Sequence, residues 1–260
     1  GWASVYTFAC QRMERFRHGR VLFAGDSAHG VSPFGARGAN SGVQDADNLA
    51  WKLAAVLAGD APDALLDSYA SEREFAADEN IRNSTRATDF ITPKSDVSRL
   101  FRDAVLELTK RHAFARSLVN SGRLSVATAP RDSPLNPPHA DTFAGAMVPG
   151  AAAADAPVRR ADGSTGWLLR ECHVARFTAL VFGTGDAAER SLQALKSSDL
   201  ALHVVRVEGT GADAELATQR YDAQPGTVYL LRPDQHVCAR WRQPTAANLR
   251  AALDHALAKA

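Results

Sequence analysis

The residues best suited to chemistry in this 260-residue chain lie in one short stretch, Gly25-Asp26-Ser27-Ala28-His29, followed by Pro33-Phe34-Gly35-Ala36-Arg37-Gly38-Ala39-Asn40. A short apolar run, Arg20 to Ala24, leads into the Gly-Asp pair, and a helical pattern begins at Ser41. Asp26, at the carboxyl end of a strand, can accept hydrogen bonds from the hydroxyls of a sugar-like chain. Gly35 and Gly38 carry no Cβ, so backbone N–H groups there can approach a flat, electron-poor ring. The positive end of the following helix would stabilise negative charge building up on such a ring, and Arg37 would add to that effect. Arg37 suits a surface ion pair equally well, and His29 reads as a packing or hydrogen-bonding residue beside the loop.

Two other patterns compete for attention. Phe23-Ala24-Gly25-Asp26-Ser27 has the form of a serine-esterase nucleophile block, but Asp26 to His29 is the chain's only Asp-x-x-His. A nucleophile two residues from its own base in one tight loop is poor geometry for a triad. Gly183-Thr184-Gly185-Asp186-Ala187-Ala188 fits G-x-G-x-x-A after a strand, and Glu208 follows where a ribose-binding acid belongs. Too little chain remains beyond it for a full dinucleotide-binding sheet.

The elements that must position these residues follow from periodicity. Val5–Ala9 and Arg20–Ala24 read as strands. Val43, Ala46, Ala50, Leu53 and Leu57 form one helical stripe, with Gln44, Asp45, Asn48 and Lys52 outside it. A second helix starts near Pro62 with Leu65, Leu66, Tyr69 and Phe75 inward, and a third follows Ser95 with Val97, Leu100, Phe101, Ala104 and Leu108 inward. Pro130, Pro134, Pro137, Pro138 and Pro149 mark an extended connection. Beyond it come a strand (177–182), a helix (186–195), a strand (201–207), a hairpin (227–231 with 237–241) and a closing helix (245–258). That order is expected of a thioredoxin-like fold. The fold class is therefore α/β, with the chain divided into residues 1–120 and 121–260.

Composition excludes several classes. A net charge of +1 supplies no global field for nucleic acid or an anionic membrane, and no apolar run is long enough to span a bilayer. Hydrophobic residues at 45% and charged residues at 23% are ordinary for a globular protein. Cys10, Cys172 and Cys238 form no CxxC pair, so zinc, disulfide and thiol-exchange chemistry are not expected. Free thiols fit a reducing cytoplasm.

The run from Gly25 to Leu53, including Gly42-Val43-Gln44-Asp45-Ala46 and Asn48-Leu49-Ala50-Trp51-Lys52-Leu53, resembles the second FAD motif of the class A FAD-dependent aromatic-ring hydroxylases. That group contains the para-hydroxybenzoate, phenol and 3-(3-hydroxyphenyl)propionate hydroxylases. The resemblance extends weakly into Ser68-Tyr69 and Glu72-Arg73. It implies a partial FAD-binding domain in which Gly25 and Asp26 meet the ribityl chain. Gly35, Gly38, Ala39 and Asn40 would line the isoalloxazine, with Pro33 at the ring face near the substrate and Arg37 supporting the chemistry.

The same resemblance implies FAD as cofactor, NAD(P)H as transient reductant, and O2 and a small aromatic phenol as substrates. It also implies a cytoplasmic homodimer whose C-terminal thioredoxin-like domain lacks redox cysteines. The family's ADP-binding G-x-G-x-x-G unit and substrate-binding sheet do not fit before Gly25, so the chain is expected to be the C-terminal portion of a longer protein. An alternative is a catalytically inert fragment or dimerisation module.

Overall fold

The computed structural model describes residues 2–5, 7–33, 35–119, 126–138, 141–160, 162–208 and 212–259. They fall into two compact units: Gly1–Leu49 with Tyr69–Thr128, and Ala50–Ser68 with Ala129–Ala260.

In the first unit, β1 (Gln11–Arg12), β2 (Arg17–His18), β3 (Val21–Leu22) and β4 (His29–Gly30) form two short antiparallel pairs, β1 with β4 and β2 with β3. The strand expected at 5–9 does not form among the described residues. Val5 is 97% exposed and Phe8 58%, so their alternation has no sheet to bury it. The strand expected at 20–24 shrinks to Val21–Leu22, and the chain then turns through a single 3-10 turn, Gly25–Ser27. Phe16, Ala28, Tyr69 and Ala77 form the small core, and the Tyr69 hydroxyl donates to the Phe23 carbonyl at 2.6 Å.

The helices are α1 (Arg37–Leu57), α2 (Leu65–Ile91), α3 (Asp96–Arg111) and α4 (Ala113–Val119). Helix α1 starts one turn earlier than the periodicity predicts, because Arg37 and Ser41 are both tied to Asn80 of α2. Its buried face also differs. Val43, Ala46, Ala50 and Leu57 are exposed, whereas Ser41, Asp45, Asn48 and Lys52 are buried. Helix α3 starts where expected, since the Ser95 hydroxyl accepts from the Ser98 N–H. Its predicted inward stripe is exposed, however, and Val105 is the buried residue.

In the second unit, the connection through Pro130 to Pro149 forms no helix or strand among the described residues. A hairpin of β5 (Pro157–Arg159) and β6 (Thr165–Trp167) follows, then α5 (Leu168–Glu171), β7 (Thr178–Phe182), α6 (Asp186–Ser197), β8 (His203–Val207), α7 (Ala212–Tyr221), β9 (Val228–Leu231), β10 (Val237–Trp241) and α8 (Ala246–Ala256). The sheet order is β10-β9-β7-β8, with β8 parallel to β7, and β9 antiparallel to both β7 and β10. The period-2 alternation of central β7 divides the core. Leu180 and Phe182 pack with Ala217 and Tyr221 of α7, while Ala179 and Val181 pack with Leu192 of α6 and Leu249 of α8.

Candidate functional site

The site is built from α1 up to Leu49, the turn before it and α2 from Tyr69 onward, all in the first unit. Asp45 is its anchor. It is fully buried and accepts three hydrogen bonds: from the Gly25 backbone N–H at 2.9 Å, from His29 Nε2 at 2.7 Å and from Arg73 Nε at 2.6 Å. Burial alone would raise the Asp45 pKa. The His29 bond, the Arg73 charge and the Gly25 N–H overcome that and hold the carboxyl below its ordinary value. Since a carboxylate only accepts, His29 carries its proton on Nε2, and its ring stacks on Phe16 at 5.7 Å. Sequence reasoning left Asp45 out of the candidate set.

Asp45 fixes the backbone at Gly25 and so positions exposed Asp26 in the next residue. Gly25 has φ of +60°, a conformation that L side chains rarely adopt. A Cβ at Gly42 would lie only 3.4 Å from the Gly25 Cα, so turn and helix meet glycine to glycine. Ser27 Oγ donates to the Ala24 carbonyl at 2.7 Å while His29 is committed to Asp45, so the pair is not arranged as nucleophile and base.

The rest of α1 is joined to α2 through polar groups. Arg37 is buried, with Nη1 donating to Asn80 Oδ1 and Nη2 donating to the Val126 carbonyl at 2.8 Å. Burial lowers its pKa, yet a guanidinium stays charged. Asn80 also donates to Ser41 Oγ at 2.8 Å, and Asn48 donates to Glu72 at 2.7 Å. Ser32 anchors the next loop, its hydroxyl within 2.8 Å of both Ser84 and Thr88.

That loop carries exposed Pro33 and Gly35, and Gly35 (φ +94°) and Ala36 (φ +50°) are both left-handed. Only Gly35 adopts this conformation freely, so strain accumulates at Ala36, immediately before α1. The first-turn N–H groups of α1, at Arg37, Gly38, Ala39 and Asn40, have no carbonyl of their own helix to bond. Asn40 Nδ2 donates to the Ala36 carbonyl at 2.8 Å. A recess of about 360 Å³ opens here, lined by Gly35, Arg37, Asn40, Ser41, Val43, Gln44, Val126 and Ala127. Of the residues predicted to act, the structure thus gathers Gly35, Arg37 and Asn40 around one recess. Gly38 and Ala39 lie in the same helical turn, Asp26 on the pinned turn, and Pro33 on the loop.

Glycine at position 38 tests whether the recess fits a flat ring. Its φ is not left-handed, and a Cβ there would meet nothing closer than Val31 Cγ2 at 3.8 Å. The fold itself does not require glycine at this position. The backbone there is open to the approach of a flat ring, and so the residues present fit a flavin.

In the second unit, Gly183 needs no nucleotide to explain it. Its φ is +80°, and a Cβ would lie 2.7 Å from Pro225 Cα. The antiparallel β9 is also foreign to an all-parallel dinucleotide-binding sheet. Cys172 and Cys238 are buried, and burial pushes their thiols up to about 11 and about 12. They are inert as thiolates at neutral pH.

Comparison with known proteins agrees with this geometry. Residues 1–84 match the family model described as FAD binding domain, and residues 146–260 match that described as aromatic-ring hydroxylase, C-terminal. The anhydrotetracycline monooxygenase of Streptomyces rimosus is 34% identical over 237 residues, covering 91% of this chain and 43% of that protein. The 3-(3-hydroxy-phenyl)propionate/3-hydroxycinnamic acid hydroxylase of Comamonas testosteroni is 44% identical over 102 residues, covering 39% of this chain and 17% of that protein. The solved structure of BexE, studied for oxidation during BE-7585A biosynthesis, superimposes with a TM-score of 0.68 at 28% identity, covering 97% of this chain and 47% of that one. The chain thus spans under half the length of the relatives that it matches along most of its own length.

Proposed function

Given that the chain belongs to the FAD-dependent aromatic-ring hydroxylases, we propose that it supplies the ribityl and isoalloxazine half of an FAD site in an NAD(P)H-dependent monooxygenase acting on a phenolic compound. The observation that carries this reading is the recess at the start of α1, beside a turn fixed by Asp45. Asp26 accepts hydrogen bonds from the ribityl hydroxyls, and Gly25 brings the backbone close to them. The N–H groups of Gly38, Ala39 and Asn40 face the electron-poor edge of the ring, and Gly35 keeps its approach clear. Arg37 and the positive end of α1 favour negative charge on that edge. Pro33 closes the ring face towards the substrate. FAD, when bound, supplies the redox and oxygen chemistry, and this chain's residues bind, orient and shield it.

Residues 1–120 read as the C-terminal part of the FAD-binding domain with its helical segment, and 121–260 as a connection and a thioredoxin-like domain. The strand order β10-β9-β7-β8, with α6 and α8 on one face and α7 on the other, supports the second assignment. That domain's role is structural or dimer-forming, since Cys172 and Cys238 are buried and not poised for exchange.

The test is oxygen incorporation. Protein reconstituted with FAD should consume NAD(P)H faster when a phenol is present and should place one atom of labelled O2 in the product. Asp26→Ala should abolish both. A protein that binds FAD but never hydroxylates would overturn the proposed reaction.

A further inference from the structure

Part of the recess at the start of α1 comes from far along the chain. Val126, 89 residues beyond Arg37, lines it together with Ala127. Arg37 accounts for their place. Its buried guanidinium donates from Nη1 to Asn80 Oδ1 and from Nη2 to the Val126 carbonyl at 2.8 Å. One rigid plane thus ties the first turn of α1, the middle of α2 and the Val126 backbone together. Thr128 is buried, so the stretch is anchored on both sides of Ala127.

The Val126 side chain itself is 59% exposed, and Val43 of α1, on the same recess, is 69% exposed. Two uncovered valines therefore share a lining with the amides of Asn40 and Gln44. An isoalloxazine has the matching division, with apolar faces and a polar edge of carbonyls and ring nitrogens. The recess, at about 360 Å³, falls at the lower end of the ~300–1,000 Å³ usual for ligand pockets.

We propose that Val126 and Ala127 belong to the flavin site as an apolar wall against a face of the ring, and that Arg37 is a positioning residue that holds this wall through the Val126 carbonyl. The assignment rests on the flavin reading of the recess. It gives the fork of Arg37 a task distinct from its charge. A lysine would keep the charge, but a single ammonium cannot reproduce two directed, coplanar bonds.

Riboflavin titration of the 260-residue chain, followed by fluorescence anisotropy, tests this. V126N makes the wall polar at similar size and should raise the riboflavin Kd about 5- to 10-fold. Its urea midpoint should be unchanged, because the side chain is exposed. R37K should raise the Kd by a similar factor, about 5- to 10-fold, although the charge is retained. The double variant shows how Arg37 acts. Acting through Val126, it leaves R37K/V126N no weaker than about 10-fold, whereas independent effects would multiply to roughly 25- to 100-fold. Wild-type affinity in V126N would overturn the wall, and V126N carries that test even where R37K fails to fold. Wild-type affinity in R37K, or multiplied losses in the double variant, would overturn the positioning role. A wild type that binds no riboflavin overturns the flavin reading and this assignment with it, whereas binding that V126N leaves untouched overturns this assignment alone.

Discussion

Substitution of Asp45 by asparagine is the most informative change in the first unit, because shape is kept and charge is lost. Asp45 holds three donors on two oxygens within 2.6–2.9 Å and has no solvent contact. Asparagine keeps one acceptor oxygen and turns an NH2 towards either Arg73 or the Gly25 and His29 donors. Either way a donor faces a donor, and the buried Arg73 charge loses its carboxylate. Removing one partner of a buried pair costs about 3–5 kcal/mol, a large share of the ~5–15 kcal/mol that typically holds a domain together. With m near 2 kcal/mol/M, the urea midpoint should fall by about 1.5–2.5 M with the slope unchanged. Circular dichroism during urea titration measures it. A shift below about 0.5 M would mean that Asp45 does not carry the turn, and the reasoning would fail.

The same network predicts acid sensitivity. The folded pKa of Asp45 lies below its unfolded value, so its contribution is complete above about pH 4 and is lost as pH falls through the folded value. Stability of the wild type should therefore drop below pH 4 more steeply than that of D45N, as read from urea midpoints across pH. Gly25→Ala should cost ~1–2 kcal/mol in the same assay, from forcing a side chain into φ of +60°. Cys172 and Cys238 should resist a thiol reagent at pH 8 until the chain is denatured, whereas labelling of both within minutes in the native state would contradict their burial and raised pKa.

Much of the second unit was legible because its core follows simple periods. The apolar run of β7 and the paired runs of β9 and β10 read directly as strands, and the structure moves their ends by at most one residue. Helix α7 escaped notice because, among its described side chains, only Ala217 and Tyr221 are buried, too few to make a visible stripe. The first unit misled in an instructive way. The apolar stripe on α1 is largely exposed, and the buried contact with α2 is polar, running through Arg37, Ser41, Asp45 and Asn48. Those positions recur every three or four residues, so a helical signal was present, in charged and amide side chains instead of leucines. Hydrophobic periodicity cannot see such a face, because it scores a buried aspartate as solvent-exposed. The glycines and Asp26 were found because their chemistry is local, and Asp45 was missed because its partners lie 16 to 28 residues away.

The central claim, that the turn at Asp26 and the start of α1 receive the ribityl and isoalloxazine half of FAD, is tested most directly by titrating riboflavin with the purified chain and following fluorescence anisotropy. Anisotropy should rise to saturation, remain unchanged on adding excess ADP, and stay flat with Asp26→Ala, whose circular dichroism matches the wild type. Displacement by ADP, or equal binding by the Asp26→Ala protein, would contradict the account.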